Sequence, residues 1–398
     1  MSRGELMPDL RTTALADRHA ALGASFTDFG GWNMPVRYTS DLAEHHAVRT
    51  AAGLFDISHM AEFLVTGSGA AAFLDYALAG RISTMKVGKA KYSLLLDENG
   101  GVIDDVIVYR TGDDRFLVIS NAGNRALVAE AFAARVDRAA QIVRSGREVP
   151  ADGVFGFVVG TERALIEDIS DQTALIAVQG PRAREIVEAT AGIADVEPAL
   201  ADLGYYAWSQ ARFQDQPLFI ARTGYTGEDG FELMLSNALA PALWDSLVEA
   251  GEPFGLVPAG LAARDTLRLE AGMPLHGHEL STAILPAQAG LGRVVAADKD
   301  EFVGKAAVAV DATDRPVLVG LVAEGRRAGR AGYAVVDADG NVVGEITSGA
   351  LSPTLGHPIA MAFVPPSFAD PGTSLFIDVR GTLIPATVTA LPFYRRTA

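Results

Sequence analysis

Apolar and polar residues alternate most clearly in the segment 91–110, where two β-branched stretches flank the dipeptide Asn99-Gly100. An Asn-Gly pair between alternating apolar stretches predicts a β-hairpin with a two-residue turn. That turn would place Leu94 opposite Asp105. Because paired residues share a face of the sheet, we expect Asp105 to lie among aliphatic and phenolic side chains. The predicted face consists of Tyr92, Leu94, Ile103, Asp105, Ile107 and Tyr109.

The same reasoning predicts interleaved helices and strands up to about residue 300. Short turns between the predicted strands favour antiparallel pairing. Beyond residue 300, helices become scarce and short strands alternate with turns, which is typical of a small β-barrel. We therefore predict an α+β protein with two interleaved α/β units in residues 1–300 and a C-terminal β-barrel in residues 301–398. The predicted helices lie near 13–22, 42–52, 70–79, 125–140, 183–190, 242–249 and 260–270, and the predicted strands at 62–66, 115–120, 174–179, 205–213, 218–223 and 231–235.

Composition narrows the range of functions. The 398-residue chain has a net charge of −16, and no run of adjacent basic residues exceeds the pair Arg326-Arg327, which argues against a nucleic-acid partner. The chain has no cysteine, so disulfides, thiolate catalysis and Cys-ligated metals are excluded. Neither a signal peptide nor an apolar stretch of membrane-spanning length is visible, so we expect a cytoplasmic protein with no membrane partner.

Several short motifs have a simpler explanation than the chemistry that they resemble. Gly67-Ser-Gly imitates a dinucleotide-binding loop but lacks the acidic residue expected about 20 positions later, so we predict a tight strand-to-helix turn. The pairs His276/His278 and His45/His46 suggest no third metal ligand by spacing, so we predict no metal site. Ser58-His59 lacks a nucleophile elbow, and adjacent strand residues would point to opposite faces.

Three charged residues stand out as candidates for a binding or catalytic site. Asp105 needs a partner if it is buried, either a ligand cation or N–H group or a neighbouring loop. Glu232 lies in the apolar stretch 231–235 and could accept two N–H bonds from an amino-substituted heterocycle, or could be an edge-strand residue in solvent. Arg264 could bind a ligand carbonyl or carboxylate, or could take part in a helix-surface ion pair among its neighbours Asp265, Arg268 and Glu270.

Seven motifs follow one another in the order of a known family. They are Asp28-Phe-Gly-Gly-Trp-Asn-Met-Pro, Gly53-Leu-Phe-Asp-Ile-Ser-His-Met, Gly101-Val-Ile-Asp-Asp-Val-Ile-Val-Tyr, Arg222-Thr-Gly-Tyr-Thr-Gly-Glu-Asp-Gly-Phe-Glu, Pro258-Ala-Gly-Leu-Ala-Ala-Arg-Asp-Thr-Leu-Arg-Leu-Glu, Gly344-Glu-Ile-Thr-Ser-Gly and Ser352-Pro-Thr-Leu-Gly. Each motif is weak alone, but seven in order are highly specific. The chain thereby resembles the aminomethyltransferase, or T-protein, family of the glycine cleavage system, and the match runs from about residue 11 to residue 396.

The resemblance implies three domains around a central cavity, two of them α+β units and the third a β-barrel. It also implies a reaction in which the one-carbon unit of an aminomethyl group, carried on the lipoyl arm of the H-protein, is transferred to tetrahydrofolate with release of ammonia. Tetrahydrofolate would act as co-substrate, and no metal would be required. The alternative is another tetrahydrofolate-dependent demethylase or methyltransferase of the same superfamily.

The resemblance also assigns roles to residues of this chain. Asp105 matches the catalytic carboxylate near folate N10, and Glu232 matches the residue that pairs with the pterin edge. Asn121 would make a second polar contact to the pterin, and Arg264 matches a folate-binding arginine. Four further positions would line the pocket: Met60, Tyr92, Tyr109 and Tyr225.

Two departures from the family pattern and one further arginine lie in the C-terminal half. Gln288 stands where members of the family usually have glutamate, and the segment Leu280-Ser-Thr-Ala lacks acidic residues common there. We expect these departures to affect a local loop or the contact with the H-protein rather than the folate pocket. Arg395 would lie at the mouth of the pocket.

Overall fold

The computed structural model describes residues 10–142, 154–159, 162–309 and 314–396. The helices of this part of the chain are α1 Ala16–Ala21, α2 Asp41–Thr50, α3 Ala70–Ala77, α4 Arg125–Ile142, α5 Ala183–Ala189, α6 Ala240–Gly251, α7 Leu261–Glu270 and α8 Lys305–Val308. The strands are β1 Ser25–Phe29, β2 Trp32–Arg37, β3 Ala52–Asp56, β4 Ala61–Thr66, β5 Ala90–Leu96, β6 Val102–Gly112, β7 Arg115–Ser120, β8 Val154–Val159, β9 Glu162–Asp168, β10 Thr173–Gln179, β11 Ile193–Glu197, β12 Trp208–Phe213, β13 Gln216–Ala221, β14 Gly230–Ser236, β15 Leu256–Pro258, β16 Val317–Ala323, β17 Ala334–Val336, β18 Val342–Leu351, β19 Pro358–Val364, β20 Ser374–Val379 and β21 Thr382–Thr389.

The first unit is a six-stranded antiparallel sheet in the order β5-β6-β7-β4-β9-β8. Helices α3 and α4 cover one face. Their apolar side chains meet the alternate residues of the strands in a core that contains Phe63, Phe73, Phe116 and Phe132. The strand periodicity therefore leaves the opposite face of this sheet free to meet another element.

The second unit is a seven-stranded sheet in the order β11-β12-β13-β14-β10-β3-β15. Every pair is antiparallel except β15 with β3, which is parallel. Helices α5 and α6 pack on one face, with Trp244 fully buried. Because β3 precedes the whole first unit in the chain, the second unit is discontinuous in sequence.

A third core forms where the uncovered faces of the two sheets approach each other. It includes Tyr109 and Ile119 from the first sheet, Phe55 and Leu175 from the second, and Leu267 from α7. The six strands β16-β19-β18-β17-β20-β21 close into a barrel, and α7 packs against its strands β18 and β19. The prediction of an α+β fold with antiparallel sheets and a C-terminal barrel is confirmed. In the described residues, no helix is both long and apolar enough to cross a membrane.

The hairpin of β5 and β6 has the predicted register but a different turn. Leu94 lies opposite Asp105, as the sequence indicates. The connection is a five-residue loop, 97–101, closed by a hydrogen bond from the Asp97 N–H group to the Gly101 carbonyl at 2.8 Å. A bulge between Leu95 and Leu96 restores the register. It also turns Ile103 towards the helix-covered core, so its predicted place beside Asp105 is wrong.

Two further local predictions can be compared with the structure. Helix α3 begins at Ala70, directly after the Gly67-Ser-Gly turn, as predicted. A Cβ atom at Gly67 would lie 2.0 Å from the Arg163 carbonyl oxygen, which explains the glycine. Ser58 and His59 lie in the turn between β3 and β4, not on a strand, so the argument from alternation does not apply to them.

Candidate active site

A cavity of about 250 Å³ lies between the two sheets, where the third core leaves a gap. Strands β6, β7, β10 and β14 supply its walls, and the loop that follows α7 closes one side. All eight site residues predicted from the sequence line this cavity: Met60, Tyr92, Asp105, Tyr109, Asn121, Tyr225, Glu232 and Arg264.

The Asp105 carboxylate is held at both oxygens by protein donors. The Tyr92 hydroxyl donates to Oδ2 at 3.0 Å, and the Asn121 side-chain amide donates to Oδ1 at 2.8 Å. The same amide nitrogen donates to Asp104 Oδ1 at 2.8 Å. Asp104 is fully buried, and it also accepts the Asn121 backbone N–H at 2.9 Å and the Asn124 side-chain amide at 2.6 Å. Asn121 therefore bridges two adjacent carboxylates, one behind the sheet and one in the cavity.

Burial makes the charged forms of both carboxylates costly. It raises the pKa of Asp105, while hydrogen bonds from Tyr92 and Asn121 and the nearby His276 oppose that rise. Burial and the charge of Asp105 raise the pKa of Asp104 to about 7. Because the two groups interact, their protons leave in two steps that belong to the pair. A cationic group placed in the cavity would stabilise the ionised form of Asp105.

Glu232 forms a second anionic centre in the cavity. It lies on β14, a central strand between β13 and β10, so the edge-strand interpretation is wrong. The Thr223 hydroxyl donates to Glu232 Oε2 at 2.5 Å, and the Tyr109 hydroxyl lies 3.5 Å from the same oxygen. Burial raises the pKa of Glu232. One carboxylate oxygen is thus fixed by the protein, while the other has no hydrogen-bond partner in the described residues.

Arg264 lies between these carboxylates and the barrel side of the molecule. Its guanidinium carbon is 4.8 Å from the centre of the Tyr225 ring, and it forms no ion pair within the described ranges. Asp265 pairs with Arg268 instead, at 2.7 Å. Burial lowers the pKa of Arg264, and burial together with Arg264 lowers the pKa of the neighbouring His59 to about 3. The cavity therefore holds a cation whose donors are available to a ligand.

The structure adds residues that sequence reasoning missed. Tyr206 and His276 line the cavity. Tyr206 lies before β12 with a positive φ of 55°, so the predicted strand 205–213 begins only at Trp208. The Nε2 atom of His276 lies 3.2 Å from the Val102 carbonyl oxygen. Both residues lie in irregular segments, where no periodicity signals which side chain faces inward.

Gln288 and the segment 280–283 have structural roles, and Arg395 is not part of the cavity lining. The Gln288 side chain accepts the Leu285 N–H at 3.1 Å and donates to the Pro316 carbonyl at 3.0 Å, which ties the loop to the start of the barrel. A glutamate could accept the first bond but could not donate the second. The Ser281 carbonyl accepts the Val102 N–H at 2.9 Å, so the segment 280–283 packs on the hairpin. Arg395 is exposed and is not among the residues that line the cavity.

Of the pair His45/His46, His45 belongs to a packed network and His46 is exposed. His45 is buried, with Nδ1 2.8 Å from the Thr266 hydroxyl and Nε2 3.2 Å from Glu270. In the described ranges, no group of three or more His, Asp or Glu side chains has the arrangement of a metal site.

Comparison with known proteins identifies the class to which this fold and cavity belong. The family model for the GCVT N-terminal domain matches residues 15–299. The model for the glycine cleavage T-protein C-terminal barrel domain matches residues 317–395. Together they cover most of the chain, which therefore belongs to the glycine cleavage T-protein family.

Individual relatives are similar to this chain along nearly their whole length. An aminomethyltransferase from Cutibacterium acnes is 53% identical over 395 residues, covering 98% of this chain and 100% of the relative. One from Saccharopolyspora erythraea is 50% identical over 396 residues, with the same coverage of each chain. The crystal structure of glycine cleavage system aminomethyltransferase T from Bartonella henselae superposes with a TM-score of 0.83 at 35% identity, covering 97% of this chain and 98% of that one.

Proposed function

We propose that this protein is the aminomethyltransferase of a glycine cleavage system. It transfers the one-carbon unit of an aminomethyl group, carried on the lipoyl arm of the H-protein, to tetrahydrofolate and releases ammonia. Relatives named aminomethyltransferase that are 50% or more identical over nearly the whole chain support this assignment. The observation that carries the assignment is the position of Asp105. Its carboxylate is fixed by two donors and lines a cavity that Glu232 and Arg264 also line.

The cavity has the groups that a reduced pterin needs. The free oxygen of Glu232 can accept N–H bonds from the amino-substituted ring, and aromatic and aliphatic side chains suit its flat faces. Arg264 can bind a carbonyl or carboxylate group of the same substrate. Asn121 contributes a carbonyl oxygen at the same wall as Asp105, since its amide nitrogen is used by the two aspartates.

The proposed reaction balances in atoms and protons. The carbon leaves its bonds to the amine and to sulfur and forms bonds to N5 and N10 of tetrahydrofolate. The two N–H protons of the folate are matched by one proton gained by the departing amine and one gained by the sulfur. The products are 5,10-methylenetetrahydrofolate, ammonia and the dihydrolipoyl arm.

Asp105 supplies the electrostatic part of the catalysis. Positive charge develops on the carbon as the amine leaves, and a carboxylate already fixed in a site that excludes water stabilises that charge without reorganising. Tyr92 and Asn121 hold the carboxylate in place, so it cannot rotate away from the cavity. Asp105 also orients the amine nitrogens of the folate next to the reacting carbon.

The division into residues 1–300 and 301–398 is part of the same proposal. The barrel strands run from Val317 to Thr389, which supports a separate C-terminal domain. The segment 301–309 contacts the hairpin loop of the first unit: a Cβ atom at Gly100 would lie 3.1 Å from both Ala307 and Val308. We also retain the predictions that the protein is cytoplasmic and that tetrahydrofolate and the H-protein are its partners.

The test is turnover of aminomethyl-loaded H-protein with and without tetrahydrofolate. We expect ammonia release that depends on tetrahydrofolate, with methylenetetrahydrofolate formed in equal amount. Folate binding without release of ammonia would contradict the proposal. It would favour the alternative of a demethylase or methyltransferase of the same superfamily. Transfer of a one-carbon unit from methylamine-type donors to tetrahydrofolate would then identify that activity.

A further inference from the structure

Three of the five lysines of the chain lie in one short segment, at Lys86, Lys89 and Lys91. The whole segment 81–91 has four cationic residues and no acidic one, in a chain whose net charge is −16. Spacing between the lysines hides this concentration from a search for adjacent basic residues.

The segment lies where the two α+β units meet. The Ala90 N–H donates to the Tyr206 carbonyl at 2.8 Å, and the Trp208 N–H donates to the Gly88 carbonyl at 3.1 Å. The Lys89 ammonium comes close to the other unit: a Cβ atom at Gly204 would lie 3.6 Å from Nζ. The loop of the first unit and the loop of the second thus form one continuous surface.

We call the exposed part of this surface the rim patch: Lys86, Val87, Lys89 and Tyr205. Val87 is 48% exposed and Tyr205 is 47% exposed, so the patch offers apolar area as well as charge. Both Lys86 and Lys89 are exposed, and neither ammonium group has a hydrogen bond or ion pair within the described residues. The nearby carboxylate of Asp229 is already paired with Arg222 at 2.6 Å and with Arg396 at 3.5 Å.

The ring of Tyr206 lies between the rim patch and the cavity. The rings of Tyr205 and Tyr206 meet edge to face, with centroids 5.0 Å apart. Tyr206 in turn lines the cavity beside Asp105 and Glu232. A donor group that travels on a flexible arm requires its carrier to dock at the edge of the cavity, because the arm is tethered.

We propose that the rim patch is the surface that docks the carrier of the aminomethyl group, through an acidic face of that carrier. This inference rests on the proposed function. A strongly acidic enzyme repels an acidic partner at long range, so a local surface with unpaired lysines and exposed apolar groups determines where the partner binds. Lys86 and Lys89 supply the charge, and Val87 and Tyr205 supply the contact area.

The test is the double charge reversal K86E/K89E in the full chain, assayed with two donors. One donor is aminomethyl-loaded H-protein, and the other is free aminomethyl-dihydrolipoamide, which needs no docking. We expect the KM for loaded H-protein to rise by about tenfold or more, because opposed charges become like charges at an interface. Turnover of the free donor and the KM for monoglutamyl tetrahydrofolate should stay at the wild-type values. The milder K86Q/K89Q variant should give an intermediate rise.

The matched control is R326E/R327E, which makes the same change in net charge at two exposed residues outside the rim patch. An equal rise of the KM in this control would overturn the proposal, because net charge alone would then explain the effect. An unchanged KM for H-protein in K86E/K89E would also overturn the proposal. So would a rise only in the KM for polyglutamyl tetrahydrofolate, because the lysines would then bind the folate tail. Failure of the wild type to release ammonia from the free donor would instead contradict the proposed function.

Discussion

Asp104 acts on the cavity only through another residue. Its buried carboxylate accepts three N–H bonds from Asn121 and Asn124, and Asn121 then donates to Asp105. Asp104 is therefore a positioning residue, which sets the orientation of the amide that holds Asp105. The charge of Asp105 also raises the pKa of Asp104, so the two carboxyl groups titrate together.

The variant Asp104→Asn should separate these two effects. We expect kcat to fall by about tenfold or more at neutral pH, because a misplaced catalytic contact is costly. We also expect the step of the kcat–pH profile near pH 7 to disappear, because Asp104, whose pKa is about 7, is the carboxyl group that ionises there. Measuring kcat against pH tests both. A purely structural role for Asp104 would leave the shape of the profile near pH 7 unchanged.

Asp104 also predicts a pH effect on stability. Its pKa is raised in the folded state from 3.8 to about 7, so the folded protein binds more protons between these values than the unfolded chain. The free energy of unfolding contributed by this group therefore falls as pH rises from about 4 to 7. Urea unfolding should show a flatter pH dependence over this range in Asp104→Asn than in the wild type.

Glu232 is predicted to act in binding rather than in the chemical step. Replacing a carboxylate acceptor by an amide in Glu232→Gln loses charged hydrogen bonds worth about 1.5–3 kcal/mol, which corresponds to roughly 10–100-fold in the Kd for tetrahydrofolate. Calorimetric titration measures this Kd. Thr223→Ser, which keeps the hydroxyl that donates to Glu232, is the control and should bind as the wild type does. Equal affinities in Glu232→Gln and wild type would argue against a pterin contact.

Sequence reasoning found the site residues that lie on strands and helices better than those in loops. Asp105 and Glu232 were recognisable because a charge interrupts an apolar strand. Tyr206 and His276 were not, because no repeating pattern defines which way an irregular segment faces. Of the two partners of Asp105, Tyr92 was predicted on the same face of the hairpin, whereas the bond from Asn121 was hidden: Asn121 follows β7, and only tertiary structure brings it to the hairpin.

At the scale of the element, the hairpin of β5 and β6 is positioned by what packs against its loop. A Cβ atom at Gly101 would lie 1.9 Å from the Thr282 carbonyl oxygen, which is backbone and cannot rotate away. The Asp97 side chain fixes the other side of the loop, accepting the N–H groups of Asn99 and Gly101 at 2.8 and 2.9 Å. The loop thus joins the hairpin to the segment that follows α7.

The variant Gly101→Ala should destabilise the protein by about 1–3 kcal/mol, the usual cost of forcing atoms into a packed region. Urea unfolding measures the change. Gly123→Ala is the control, because a Cβ atom there would have no heavy atom within 4 Å, and it should change stability by less than about 0.5 kcal/mol. Equal stabilities for the two variants would show that the loop can shift freely.

The hairpin also shows how a correct register can follow from an incorrect turn. The Asn-Gly pair indicates a two-residue turn, whereas the structure has a longer loop and a compensating bulge. Side-chain period fixes the register once one face is buried, so the strand pairing was predictable. The conformation of the loop was not predictable, because Gly101 packs against Thr282, which is remote in sequence.

At the scale of the whole molecule, a buried cluster joins the second unit to the barrel. Glu270 at the end of α7 accepts bonds from Arg49 at 2.8 Å, from the Ser352 hydroxyl at 2.5 Å and from the Thr354 backbone N–H at 3.0 Å. Burial alone would raise the pKa of Glu270, but hydrogen bonds from His45, Ser352 and Arg49 lower it to about 2. The barrel is thus fixed to the helix that carries Arg264.

The variant Glu270→Gln should lower the free energy of unfolding by about 1.5–3 kcal/mol, the usual worth of a hydrogen bond to a charged group, because Arg49 loses one of its two buried carboxylate partners. The other partner, Glu228 at 2.9 Å, remains. The stabilisation from Glu270 is complete above its ordinary pKa of 4.5 and is lost as pH falls towards 2, so the variant should also unfold with less dependence on pH in this range. Urea unfolding at several pH values measures both. The control is Asp41→Asn, which removes an exposed ion pair between the first residue of α2 and Arg37 at the end of β2. A change above about 1 kcal/mol is not expected there. Similar losses in both variants would contradict this role.

The arrangement of whole units was the least accessible to sequence reasoning. The α+β class and the barrel follow from the order of elements and from the loss of helices after residue 300. The placement of β3 in the second sheet does not, because its partners β10 and β15 are more than 100 residues away. The cavity depends on this crossing, since it forms between two sheet faces that no local pattern pairs.

The central claim is that the carboxylate of Asp105 carries out the tetrahydrofolate-dependent step in this cavity. The most direct test is ammonia release from aminomethyl-loaded H-protein by wild type and Asp105→Asn, with and without tetrahydrofolate, alongside the Kd for tetrahydrofolate. We predict folate-dependent release by the wild type, and a loss of about 10²–10³-fold in the variant with folate binding retained. Turnover by Asp105→Asn at the wild-type rate would contradict the account.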